Sequence, residues 1–197
     1  MMGCKFRCIL IGISLGGPQI LHQVLPELAQ RTDRPIIVVQ EHLPKGMITG
    51  LTKSLDRACQ RYGRPVVSPA EGDAVRDQMI YLIADQRKPL LAKRETEPIF
   101  RFGNGLEMHD DDNAIDSLFR STARLFGADA VAVVMTGSGS GGTVGAKILH
   151  EAGAHIVAQD RESSLSWGMP GSVVRAGIVD RVVSVKMLPN YIEGLMS

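Results

Sequence analysis

Several things are scarce in this sequence, and each scarcity excludes something. Only three cysteines occur, Cys4, Cys8 and Cys59, at no metal-ligand spacing. An odd, scattered set argues against a disulfide framework and a zinc site, and fits thiols kept reduced in a cytoplasmic compartment. Charge of one sign is also missing. The formal net charge is +1, so the bulk electrostatics offer nothing to nucleic acid or to an anionic membrane. No run of about 20 apolar residues exists, which excludes membrane insertion by a spanning helix. The apolar stretch in "MMGCKFRCILIGISLGG" is too short for a signal peptide and runs straight into a glycine turn. Internal repeats, low-complexity tracts and linkers are absent as well, so residues 1–197 are expected to form a single domain.

Short apolar runs alternate with segments of helical period. "CILIGI" predicts a buried strand, "GPQILHQVLPELAQ" a helix, "PIIVVQ" a second strand and "MITGLTKSLDRACQRYG" a second helix. From Arg64 to Arg101, "PVVSPA", "QMIYLIA", "PLLAK" and "EPIFRF" are extended pieces broken by proline, glycine and charge, which predicts hairpins. "NAIDSLFRSTARLFG" then reads as a helix with Asn113 as its cap and Gly127 as its stop. Strand and helix alternate again through "ADAVAVVMT", "GGTVGAKILHEAG", "AHIVAQ", "MPGSVVRAG", "IVDRVVSV" and "MLPNYIEGLM". Fully apolar strands alternating with helices imply an α/β fold: a doubly wound, mostly parallel sheet with helices on both faces and a hairpin excursion in the middle.

In such sheets the working site lies beyond the carboxyl ends of the strands. Three strand exits carry candidate chemistry. Gly12-Ile13-Ser14-Leu15-Gly16 reads G-x-S-x-G, which suits either a nucleophile on a sharp turn or an ordinary capping serine. "VVQEHLPKG" places His42 in the loop after the second strand, one strand-helix-strand span beyond Ser14, where it is either a general base or a solvated loop histidine. "MTGSGSGGTVG" satisfies G-x-G-x-x-G from Gly137 to Gly142, with Asp160 closing the next strand. By itself that stretch is compatible with a dinucleotide loop.

These exits, in this order, resemble the catalytic domain of the bacterial chemotaxis receptor methylesterases, from about Ile9 to Val185. "IGISLGG" is similar to that family's nucleophile turn and "VVQEHLPKGMITGLTKSLDRAC" to its histidine segment. "PAEGDAV", "IDSLFRSTARLFGADAVAVVMTGSG" and "AQDRESSLSWGMPGSVVRAG" also look like family segments. The resemblance implies hydrolysis of glutamate methyl esters on chemoreceptors and, in many members, deamidation of receptor glutamines. It makes Ser14 the nucleophile and His42 the general base. Backbone amides around Leu15, Gly16 and Gly17 would be the oxyanion donors, with Ser138 and Met169 in the site loops. It implies no metal and no organic cofactor, and it turns the 137–142 loop from a phosphate cradle into the carrier of the third triad member.

At that third position the sequence departs from the family pattern. Aligned from Thr136, Ser138 stands for the usual methionine, and Gly141 stands where an aspartate is expected. Loss of that acid removes what fixes the imidazole tautomer, so the resemblance implies an impaired hydrolase; a catalytically silent binding module in a chemosensory assembly is the alternative. On this reading Gly141→Asp should raise activity. Candidate substitutes are Glu41, the trio Asp110 to Asp112, and Asp160. Neighbours on an extended segment point to opposite sides, which argues against Glu41, and Asp160 is expected to brace its own loop. The nucleophile strand starts within the first ten residues, so the family's usual phosphoacceptor domain is not expected on this chain. The implied partners are a methylated chemoreceptor or other signalling protein and, for phosphorylation control, a separate receiver protein.

Overall fold

The computed structural model describes residues 7–44, 46–84, 87–103 and 113–196. Its centre is a seven-stranded sheet in which every pairing is parallel. The first strand, β1 (Cys8–Ile13), feeds helix α1 (Gly17–Arg31). Next come β2 (Ile36–Gln40), α2 (Met47–Cys59), β3 (Val66–Val67) and β4 (Ile80–Ala84). An antiparallel hairpin, β5 (Pro89–Arg94) and β6 (Glu97–Phe102), stands outside the main sheet. The second half runs α3 (Ala114–Leu125), β7 (Ala130–Val134), α4 (Thr143–Glu151), β8 (His155–Gln159), α5 (Gly168–Arg175), β9 (Arg181–Val183) and α6 (Leu188–Met196).

The expected doubly wound sheet is present, but the hairpin region is smaller than the sequence suggested. Among the described residues only β5 and β6 form a hairpin. The "PVVSPA" and "QMIYLIA" segments instead supply β3 and β4, which pair in parallel with each other, and β4 pairs onward with β2. The apolar "IYLIA" core of β4 is buried along nearly its whole length, the mark of a strand covered on both faces. The charged and proline-rich flanks that read as hairpin punctuation are the crossings that connect it.

Both faces are covered because alternate side chains leave a strand on opposite sides. From β1, Ile9, Ile11 and Ile13 enter one core with residues of α1, α2 and α6. Cys8 and Leu10 enter the other with α3, α4, α5 and the hairpin residue Phe100. Full burial of an aliphatic side chain contributes roughly 1.5–3 kcal/mol, so a one-residue slip of β1 would cost several such contributions at once. The register is thereby fixed, and with it the position of the strand's end. Among the described residues no helix is long and apolar enough to cross a membrane.

Two thiols lie inside these cores. Burial pushes Cys8 from 9.0 to about 12 and Cys59 to about 11. A thiol whose pKa is raised on folding adds stability below its unfolded value, and that stability is lost as pH rises toward the folded value. The thermal midpoint is therefore expected to fall as pH climbs above about 9. The slope should be shallower in Cys8→Ala than in the parent chain, as read by circular-dichroism melts from pH 7 to 11.

The sheet order is β3-β4-β2-β1-β7-β8-β9. Winding runs from β1 toward β2 in the first half and from β1 toward β7 and β9 in the second. The reversal falls between β1 and β7, and in open α/β sheets the ligand crevice lies outside the carboxyl ends of the strands at such a point.

Candidate active site

Ser14 is the first residue beyond β1 and is 2 % exposed. Its amide donates to Thr136 O at 2.9 Å, tying the turn to the exit of β7. Gly16 follows at φ 81, a left-handed conformation that glycine adopts without a Cβ penalty. The chain can then turn sharply into α1, and the Gly17 amide closes the turn on Ser14 O at 2.8 Å.

The histidine arrives from β2. Glu41 continues the parallel ladder, its amide donating to Ile13 O at 2.8 Å. His42 then turns into the left-handed region at φ 56, uncommon for a residue with a side chain. That turn brings His42 Nδ1 to 3.0 Å from Ser14 Oγ. Sequence separation gave no distance; the parallel pairing of β1 with β2 supplies it. Within a hydrogen bond of the imidazole, the hydroxyl can hand over its proton while its oxygen attacks.

Two buried glutamines that the sequence reading passed over hold the crevice together. Gln40 Nε2 donates to Ser14 O at 2.9 Å and to Glu41 O at 2.8 Å, clamping the Ser14 turn to the histidine loop. Gln159 Oε1 accepts from Thr136 N at 2.8 Å while its Nε2 donates to Ser163 O at 2.7 Å. The available signal was a glutamine closing each of two strands whose central residues are apolar, "IIVVQ" and "HIVAQ".

The third exit is built by close packing. Met169 is buried, its amide donating to Gly137 O at 2.8 Å. A Cβ on Gly137 would stand 2.1 Å from Met169 Sδ and 2.9 Å from Ser14 Cβ. Ser138 is exposed on the same loop. A Cβ on Gly168 would meet backbone, 2.7 Å from Gly139 N and 2.9 Å from Gly137 O. Gly168→Ala is accordingly expected to displace the 137–139 loop and destabilise the fold by about 1–3 kcal/mol, the usual range for overpacking. A thermal midpoint several degrees below the parent's would register it.

The oxyanion candidates divide. Gly17 N is engaged with Ser14 O, whereas for Leu15 N and Gly16 N no protein acceptor is found among the described residues. Leu15 and Leu165 form an exposed apolar rim over the turn. Asp160 does brace its own loop, as expected, its Oδ1 accepting from Ser163 N at 2.9 Å. The trio Asp110 to Asp112 lies outside the described residues. Among the described residues no group of three or more His, Cys, Asp or Glu is placed to hold a metal ion.

Fold and site together define an α/β protein with a serine–histidine pair at the topological switch point of a parallel sheet. Similarity sharpens that class. Residues 9–192 match the family model described as CheB methylesterase, and the chain belongs to that family. It is 34% identical over 182 residues to the protein-glutamate methylesterase/protein-glutamine glutaminase of group 2 operon of Rhodopseudomonas palustris, covering 92% of this chain and 46% of that protein. It is 35% identical over 186 residues to protein-glutamate methylesterase/protein-glutamine glutaminase 1 of Rhodospirillum rubrum, covering 93% and 47%. The chain thus spans about half the length of the curated relatives it matches. Its fold superposes on the crystal structure of the Thermotoga maritima CheB methylesterase catalytic domain with a TM-score of 0.87 at 26% identity, covering 96% of this chain and 98% of that one.

Proposed function

We propose that this chain is a serine hydrolase of the receptor-methylesterase type, acting on glutamate methyl esters, and on glutamine amides, of chemoreceptor proteins. The observation that carries the reading is the 3.0 Å contact between Ser14 Oγ and His42 Nδ1 at the crevice. Membership of the CheB methylesterase family supports a methyl ester as the substrate.

Ser14 Oγ attacks the ester carbonyl carbon while His42 Nδ1 takes its proton. The carbonyl oxygen becomes an oxyanion, for which the amides of Leu15 and Gly16, at the positive end of α1, are the candidate donors. On collapse the C–O bond to the methoxy group breaks, and His42 returns its proton to the departing oxygen, releasing methanol. Water, deprotonated by the same imidazole, then cleaves the acyl-serine to give glutamate and restore the hydroxyl. Each step uses protein groups and water alone.

The test is turnover of a methylated receptor fragment and of a simple methyl ester, alongside labelling by a serine-directed phosphonate. Turnover with the label on Ser14 supports the reading. A parent chain no faster than Ser14→Ala would retire it in favour of a binding module.

A further inference from the structure

Position 141 carries no side chain, yet the space that one would enter is not empty of charge. A Cβ built on Gly141 lies 3.0 Å from Glu41 Oε2 and 3.3 Å from Asn113 Nδ2. Glu41 is 4 % exposed, a depth at which carboxylates are rare unless their charge is used or paired. Its Oε1 accepts a long hydrogen bond, 3.4 Å, from Ile115 N in the first turn of α3, an environment that suits a negative charge. The other buried carboxylate among the described residues, Asp116, braces α4 by accepting from Gly145 N at 2.6 Å. Asp160 is committed to the Ser163 turn.

The alternation argument against Glu41 fails at one dihedral angle. It requires extended backbone through both residues, and His42 at φ 56 is not extended. The two side chains are thus released from opposite faces. Ser14 Oγ faces Nδ1, so the nitrogen that needs an acid is Nε2. An imidazole acting as base through one nitrogen is held in the correct tautomer, and steadied once charged, by a carboxylate serving the other.

We infer that Glu41 is the positioning acid of this site, its carboxylate taking the place of the one missing from position 141 and serving His42 from the residue immediately before it. The inference rests on the hydrolase reading above. It also predicts a physical property that does not need turnover: the tautomer of His42.

Two arms test it. Kinetically, Glu41→Gln should lower kcat by about 10²–10⁴-fold with little change in KM. Glu41→Ala combined with Gly141→Asp should recover at least tenfold over Glu41→Ala alone, because the acid re-enters from the other side of the same space. By ¹⁵N NMR of labelled histidine on the intact chain, the parent should hold His42 as the Nε2–H tautomer, and Glu41→Gln should show a mixture. A Glu41→Gln enzyme within threefold of the parent overturns the proposal. So does a loss of activity that an aspartate at 141 does not repair, since a mere cap on α3 would behave that way. Should the parent hydrolyse no ester, the hydrolase reading falls and the NMR arm alone decides: identical tautomers in parent and variant reject Glu41.

Discussion

Ser14→Ala is expected to lower kcat for ester hydrolysis by up to about 10⁶-fold, the scale seen when a serine or its histidine is removed from a serine protease. The reason is geometric as much as chemical. Ser14 is buried, and its amide and carbonyl are both tied, to Thr136 O and to Gly17 N and Gln40 Nε2 respectively. Removing one oxygen should therefore leave the turn in place, with a thermal midpoint close to the parent's. His42→Ala should fall to a similar floor. The double variant should be little slower than either single one, because hydroxyl and imidazole act as one unit. Losses that simply multiplied in the double variant would mean that the 3.0 Å contact is not the working pair. Steady-state kinetics on one methyl ester with all four proteins decides it.

Gly141→Asp, made alone, is the second large effect, and the structure reverses its expected sign. From the sequence, the change restores a missing acid and should raise activity. In the folded chain the new Cβ would stand 3.0 Å from Glu41 Oε2. Gly141 is not among the glycines with positive φ, so the backbone accepts the residue; its charge is the obstacle. Two carboxylates cannot both stay ionised cheaply at such separation in a buried place, and one is driven to keep a proton. Either protonation pattern disturbs the acid that His42 relies on. The single variant is expected to lose about 10–100-fold in kcat and some thermal stability, whereas the same change in a Glu41→Ala background gains activity. Opposite signs in the two backgrounds are the signature of one shared acid position. A rise in activity from Gly141→Asp alone would show that the position stood vacant for catalysis.

The way these results were legible differs from residue to residue. β1 and β7 announce themselves as apolar runs, β2 as one closed by Gln40, and α3 by its Asn113 cap, whose Oδ1 accepts from Asp116 N at 2.8 Å. Ser14 and His42 stood out as polar residues at strand exits, where each had an ordinary turn explanation as well, and it was the order of the three exits and the family resemblance that paired them. Met169 and the glycine loop could be placed at the site but not explained. The reason for Gly137 is the close approach of Met169 and of the Ser14 Cβ, which no local pattern encodes.

What the sequence by itself determined is therefore what depends on neighbours along the chain: the elements, their caps, the alternation that sends Ile9 and Leu10 to different cores, and the nomination of Ser14 and His42 as a candidate pair. Tertiary structure alone decided the rest. It set β3 and β4 into the main sheet, because parallel partners are chosen across long crossings. It brought Nδ1 of His42, and not Nε2, to the serine. It also delivered a glutamate into the space left open by a glycine a hundred residues away in sequence. Beside that glutamate, His42 leaves the extended ladder at φ 56, a conformation that the alternation of neighbours along a strand does not foresee.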